Sequence, residues 1–148
     1  MIGLRPSDSS DGDALLQVWC RAVDASHEFL AEEDRAAIEP IVADYVRTSP
    51  LLVATDDGAV AGFMGVTGRN IDSLFVDPAA QGMGIGRLLT ESVGASATVD
   101  VNEQNTTALK FYRHLGFEVV GRSDVDDQGR PYPLLHLQMD QTSSTSRP

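Results

Sequence analysis

Gln81-Gly82-Met83-Gly84-Ile85-Gly86-Arg87 sets three glycines at alternate positions directly before Leu88-Leu89 and a stretch of helical character. That spacing suits an anion. A phosphate needs several backbone N–H groups converging on it, and the first amides of a helix have no intrahelical acceptor. Glycine has no Cβ to keep the anion at a distance, the helix dipole adds partial positive charge at the same end, and Arg87 can add a full one. A flexible connector is the alternative reading, but flexibility alone gives no reason for the alternate spacing.

Two other phosphate sites share parts of this pattern. A dinucleotide fingerprint would turn from strand into helix at once and use an acid downstream, and Glu103 stands at a suitable distance for that acid. Against it, Asp77-Pro78-Ala79-Ala80-Gln81 separates the preceding strand from the glycines, and that strand belongs to a meander. A Walker-type loop fails because no Gly-Lys-Ser or Gly-Lys-Thr is present. Cys20 is the only cysteine, which rules out an intrachain disulfide and any zinc site of several thiolates, so no metal is expected.

The elements that must carry the glycine segment can be read from periodicity. Ile2 to Arg5 forms a short strand, and Pro6 to Gly12 supplies turn and capping residues, with a helix starting near Asp11. Ala14, Leu15, Val18, Trp19 and Ala22 share one face of that helix. Ser26 to Leu30 breaks the pattern before a second helix from Ala31 to Val46, with Ile38, Ile41, Val42 and Tyr45 as its apolar face and Pro40 expected to break or kink it. Leu51 to Ala54 and Val60 to Val66 flank Asp56-Asp57-Gly58 as a hairpin. Asn70 to Val76 is the next strand.

Beyond the glycines the pattern gives a helix through roughly Gly94, a strand Thr98 to Val101, and a helix from Asn105 to about His114 closed by Gly116. Phe117 to Arg122 and Leu134 to Met139 make a last strand pair around Asp126 to Gly129. The polar segment 141–148 has the composition of a disordered tail, leaving one domain over 1–140. Strand, two helices, three antiparallel strands, helix, strand, helix and two strands describe an α/β fold, a mixed sheet with helices on both faces.

At 148 residues the chain can bury a core without covalent or metal staples. Its 42% hydrophobic content includes no apolar run near the roughly 20 residues of a membrane span. The first residues lack the features of a secretory signal, so a cytoplasmic setting with no membrane partner is expected. The net charge of −11 argues against nucleic acid and favours a cationic acceptor through long-range attraction.

Gln81, Gly84 and Gly86 match the signature of the GNAT-type N-acetyltransferases: Gln or Arg, two residues, Gly, one residue, Gly or Ala. The sequence resembles that family further in Leu74-Phe75-Val76-Asp77-Pro78, like its bulged fourth strand, and in Asn102 to Phe117. A closer likeness to one small bacterial member runs through Val18 to Arg21, Asn102 to Asn105 and Val125 to Leu135. The resemblance implies a mostly antiparallel sheet of six or seven strands, splayed into a V between strands four and five.

It also implies acetyl-coenzyme A as acetyl donor. Backbone groups of Leu74, Phe75 and Val76 would pair with pantetheine as an extra strand does, since an open strand edge presents unpaired N–H and C=O groups. Gln81, Gly82, Met83, Gly84, Ile85, Gly86 and Arg87 would take the pyrophosphate. Asn105 resembles the asparagine that contacts the coenzyme, with a plain helix cap as the alternative. Tyr112 matches the tyrosine beside the thioester sulfur, where a phenol can protonate the departing thiolate; core packing is its alternative.

The attacking amine needs a base, for which His27, at the helix break lining the acceptor site in relatives, and Asp72 are the candidates. Trp19, His27, Phe29, Asp126 and Tyr132 are candidates for the acceptor pocket, each with packing or a turn as the alternative. The resulting expectation is direct acetyl transfer to a primary amine on a small molecule or peptide, by a monomer or homodimer. Cys20 has no neighbouring histidine and no helix N-terminal place to activate it as an intermediate. A coenzyme A-binding regulatory domain without catalysis is the alternative from another class.

Overall fold

The computed structural model describes residues 1–26, 30–126 and 128–139. The elements are β1 (Ile2–Pro6), α1 (Gly12–Ser26), α2 (Glu32–Thr48), β2 (Leu52–Asp56), β3 (Ala59–Thr67), β4 (Asn70–Val76), α3 (Ile85–Glu91), β5 (Thr98–Asn102), α4 (Thr106–His114), β6 (Phe117–Ser123) and β7 (Leu134–Met139). Short 3₁₀ turns at Ser9–Asp11 and Pro78–Ala80 precede α1 and the glycine segment. The hydrogen-bonded strand order is β1-β2-β3-β4-β5-β7-β6. β4 and β5 run parallel, whereas β1/β2, β2/β3, β5/β7 and β6/β7 are antiparallel. This is the expected mixed sheet, with seven strands.

The chain divides into two compact units, Met1–Val66 with Ser73–Ser92, and Thr67–Asp72 with the residues from Val93 onward. In the first, Leu15, Val18, Trp19 and Val23 of α1 and Val46 of α2 enclose Leu51, Val53 and Phe63. Val53 and Phe63 are register partners, so their side chains share the face that meets α1 and α2. The adjacent pair Ala54 and Gly62 faces the other way, and there a Cβ on Gly62 would stand 3.3 Å from Cγ2 of Ile85 in α3. Helices therefore cover both faces of these strands.

Details depart from the sequence reading for local reasons. Val23 is buried at 4% exposure where Ala14 is exposed, and Val46 is buried where Ile41 is half exposed. α2 runs unbroken through Pro40. Pro40 lies on the exposed side and so does Ala36, whose carbonyl loses its helical donor there and can turn to water. α3 ends at Glu91, short of Gly94, because the Ser92 hydroxyl and amide both donate to the Leu89 carbonyl, at 2.5 and 3.1 Å, and close the last turn early. The Asp57-Gly58 hairpin forms with both φ angles positive, 51° and 88°.

The entry to α1 is fixed by charge. The Arg5 guanidinium forks onto Asp11 with both contacts at 2.8 Å, and the Asp8 amide donates to the same carboxylate at 2.9 Å. Arg5 first and the Asp8 amide second hold the Asp11 carboxyl down at about 2 against the opposing effect of its burial. Its folded pKa is below the unfolded value of about 3.9, so the stabilisation is complete above that pH and is lost as pH falls toward 2. In denaturant titrations Asp11→Asn is expected to be less stable than the native sequence at pH 7, with the gap closing by pH 2.

β4 is anchored at its midpoint. Ser73 Oγ lies 2.8 Å from Tyr45 Oη of α2 and accepts the Gly65 amide of β3 at 3.0 Å, which puts a side-chain oxygen among the acceptors of the β3–β4 ladder. A Cβ at Gly65 would stand 2.0 Å from Tyr45 Oη. Leu74, Phe75 and Val76 follow directly.

Candidate active site

The first unit carries the strand end and the glycine segment. Leu74, Phe75 and Val76 are each half-buried. Phe75 packs on Phe63 with ring centroids 5.6 Å apart, which leaves the backbone as the part of this stretch open to polar contacts. The stretch ends at Asp77, whose amide donates to the Ala61 carbonyl at 2.8 Å and whose carboxylate takes Arg21 of α1 at 2.6 and 3.0 Å. Arg21 foremost, with the Ala79 amide assisting, holds the Asp77 carboxyl below the ordinary range.

From there the chain leads through the Pro78–Ala80 turn into four exposed residues, Gln81 to Gly84. Gly82 and Gly84 have φ of 85° and 79°, a region costly for any residue with a Cβ, and nothing stands within 4 Å of where that atom would be. Ile85, at 2% exposure, pins the far end in the core, so only its backbone can meet a ligand. Gly84 caps α3, and Gly86 lies inside the first turn of the helix rather than in the loop. Met83 is 46% exposed, and Arg87 is exposed with a long 3.8 Å contact to Glu91. The loop is thus held at both ends, open between them, with amides and one cation at its exit.

The second unit carries the tyrosine. Tyr112 is 6% exposed and stands edge-on between Phe111 and Phe117, at 5.0 and 5.3 Å between centroids. Burial pushes its phenol well above the ordinary tyrosine value. The ring is core, and its hydroxyl makes no hydrogen bond among the described residues. Asn105 caps α4, its Oδ1 accepting the Ala108 amide at 3.1 Å. Glu103 is engaged by Arg122 at 2.7 and 3.3 Å, which leaves it poorly suited to the ribose role of a dinucleotide site.

The base candidates fare differently. Asp72, the third residue of β4, is exposed and accepts the Thr67 hydroxyl at 2.5 Å and the Asn70 side-chain amide at 2.8 Å. His27 and Phe29 lie outside the described residues, as do Asp127 and the 140–148 tail. Trp19 is a core residue at 4% exposure with the Arg35 guanidinium 5.4 Å from its ring centroid. Asp126 organises the β6–β7 loop by accepting the amides of Gln128 and Arg130 at 2.9 and 2.8 Å, and Tyr132, further along the same loop, is buried.

One arrangement escapes sequence reading. His136 of β7 has Nδ1 2.6 Å from Asp100 Oδ1 of β5 and Nε2 2.7 Å from Ser123 Oγ of β6. The strand order β5-β7-β6 makes it, and no spacing in the chain announces that order; only the alternation of Asp100 with Val99 and Val101 marks a polar face.

Cys20 is a poor nucleophile. Burial first and the nearby Glu39 second raise its thiol, whose Sγ lies 3.9 Å from Glu39 Oε1. Cys20→Ala is expected to keep kcat within about twofold, as measured by thiol release, because the thiolate needed for a covalent intermediate is disfavoured there. Among the described residues no group of three metal-ligating side chains is present, and no helix is long and apolar enough to cross a membrane.

The sequence pattern of the acetyltransferase (GNAT) domain matches residues 24–134. A peptidyl-lysine N-acetyltransferase, YjaB of Salmonella typhimurium, is 48% identical over 141 residues, covering 93% of this chain and 97% of the relative. YjaB of Escherichia coli is 45% identical over 141 residues, covering 93% of this chain and 96% of the relative. The solution structure of apo-form YjaB from Escherichia coli superposes with a TM-score of 0.88 at 44% identity, over 93% of this chain and 97% of that one. With the signature at Gln81, Gly84 and Gly86, the strand order and these likenesses together, the chain belongs to the GNAT family of acetyltransferases.

Proposed function

We propose that the protein is a peptidyl-lysine N-acetyltransferase that moves the acetyl group of acetyl-coenzyme A directly to a lysine amine. The observation that carries this reading is the loop from Gln81 to Gly84, open at two positive-φ glycines and fixed at Asp77 and Ile85. The names of the YjaB relatives support the acceptor class, and the net charge of −11 suits a cationic lysine. The family pattern runs across both compact units, which supports one working domain over 1–140. The bacterial relatives, together with the lack of a membrane-spanning helix among the described residues, support a cytoplasmic setting.

In this mechanism the amides and Arg87 of the glycine segment bind the pyrophosphate. Backbone groups of Leu74, Phe75 and Val76 hold the pantetheine arm, and Asn105 contacts it while capping α4. A backbone N–H at the same strand edge polarises the thioester carbonyl and holds the oxyanion of the tetrahedral intermediate. The lone pair of the neutral amine forms the C–N bond, the C–S bond breaks as Tyr112 Oη protonates the leaving sulfur, and the surplus proton on the new amide nitrogen returns to the phenolate. Burial keeps that phenol protonated at neutral pH, and the same desolvation makes the departing thiolate a stronger base to receive the proton.

Incubation with acetyl-coenzyme A and a lysine peptide, read by peptide mass and by thiol release, tests the assignment. Acetylated peptide with stoichiometric thiol is expected. Tight coenzyme binding with no acetylation across a panel of peptide and small-molecule amines would instead favour the non-catalytic binding domain.

A further inference from the structure

We propose that Tyr45 and Ser73 are positioning residues for the coenzyme: their paired hydroxyls hold a bulge in β4, and the bulge presents the backbone of Leu74, Phe75 and Val76 to the pantetheine arm. This deepens the coenzyme reading above and rests on it.

Two contacts locate the bulge. Thr67 ends β3 and Asn70 begins β4, so Gly68-Arg69 is a two-residue turn, with Gly68 at a φ of 63° in the place where tight hairpins favour glycine. Counting outward from Thr67 opposite Asn70 sets Gly65 opposite Asp72 and Ala61 opposite Val76. Both contacts fall one residue later on β4: the Gly65 amide goes to Ser73, and the Ala61 carbonyl takes the amide of Asp77. β4 therefore carries one residue in excess of β3 by Ser73 and keeps it to Asp77, as a bulge does. The parallel ladder to β5 joins only Asn70 and Ile71, so Leu74 to Val76 stand outside it.

Side chains hold the excess in place. In an unbroken ladder a backbone carbonyl of β4 would accept the Gly65 amide; here Ser73 Oγ accepts it at 3.0 Å, and the Tyr45 hydroxyl of α2 fixes that oxygen from 2.8 Å. The phenol reaches it through the space that Gly65 leaves, since a Cβ there would stand 2.0 Å from Tyr45 Oη. Gly62 makes a matching space further along, where a Cβ would stand 2.9 Å from the Phe75 carbonyl oxygen. Tyr45, Gly62, Gly65, Ser73 to Val76 and the glycine segment all belong to the first compact unit.

Loss of the Ser73 hydroxyl has a definite consequence for the strand end. Gly65 is buried, so its amide would be left without an acceptor, which is costly. The local remedy is for β4 to slip by one residue and offer a backbone carbonyl instead. A slip of one residue turns every side chain to the other face and every backbone group with it. Leu74, Phe75 and Val76 would then present different N–H and C=O groups at the edge that holds the arm. The glycine segment lies beyond the anchor at Asp77, which Ala61 and Arg21 secure independently of Ser73.

Two ligands separate positioning from general stability. Coenzyme A carries the pantetheine arm, whereas 3′-phosphoadenosine 5′-diphosphate keeps the two linked phosphates for the glycine segment and has no arm. By calorimetric titration Ser73→Ala is expected to weaken coenzyme A about tenfold and the armless nucleotide by less than about twofold, the scale of one lost hydrogen bond felt by the arm alone. Ser73→Thr keeps the oxygen and is expected to bind coenzyme A within about threefold of the native protein. Undiminished coenzyme A binding by Ser73→Ala, or equal losses on both ligands, would overturn the assignment. If S73A does not fold, Tyr45→Phe must show the same contrast, with coenzyme A weakened and the armless nucleotide unchanged. A native protein that binds neither ligand would overturn the coenzyme reading itself, and this inference with it.

Discussion

Tyr112→Phe is expected to lower kcat by about a hundredfold or more, the usual loss when a positioned proton donor is removed, while leaving stability and coenzyme affinity near native. The split follows from what each half of the side chain does. The ring, wedged between Phe111 and Phe117, supplies the packing and is retained in phenylalanine. The hydroxyl makes no hydrogen bond among the described residues, so its removal strands no partner. Thiol release under saturating acetyl-coenzyme A, with thermal unfolding measured on the same preparations, checks both parts. The loss is expected to shrink for an activated donor such as an aryl thioacetate, whose leaving group needs no proton. An equal loss with that donor would move Tyr112 from proton donation to packing.

Gly65→Ala is expected to destabilise the fold by about 1–3 kcal/mol, as overpacked interiors do. The added methyl would stand 2.0 Å from Tyr45 Oη, 2.9 Å from Ser73 Oγ and 3.0 Å from Leu51 Cδ2. The Tyr45 hydroxyl is the nearest obstacle. Adding Tyr45→Phe to Gly65→Ala should therefore recover part of the loss, although Tyr45→Phe alone gives up its bond to Ser73 and should cost stability by itself. A double-mutant cycle in urea measures the coupling. Strict additivity would mean that the strand shifts away and the hydroxyl is not the limit. Because Ser73 directly precedes Leu74 to Val76, the same substitution is expected to weaken acetyl-coenzyme A binding.

The element order, the hairpin at Asp57-Gly58, strand β4 from Asn70 to Val76 and strand β7 from Leu134 to Met139 were legible because each rests on local information: turn chemistry, alternation and caps. The glycine segment was legible for the same reason, since its alternate glycines sit next to the helix they start. What stayed hidden depends on partners distant in the chain. Pro40 reads as a breaker from propensity, but the exposed side of α2 accommodates it. Trp19 reads equally well as a pocket wall or as core, and only its neighbours Val53 and Phe63 decide. Asp100, Ser123 and His136 are separated by 23 and 13 residues in sequence, and only the pairing of β5 and β6 with β7 brings them together.

The partition of the chain bears on how it is made. The first compact unit includes Ser73–Ser92 and the second includes Thr67–Asp72, so neither corresponds to one uninterrupted stretch. On a ribosome adding about 5–20 residues per second, the N-terminal 66 residues emerge without the strand end and helix that complete their packing. The exposed faces of β2 and β3 must wait for Ser92 to clear the exit tunnel. A cut between residues 66 and 67 leaves the first fragment without its own final elements, whereas a cut between 92 and 93 gives the first fragment all of them. A division after Ser92 therefore keeps the first unit whole, at the cost of parting Thr67–Asp72 from the rest of the second.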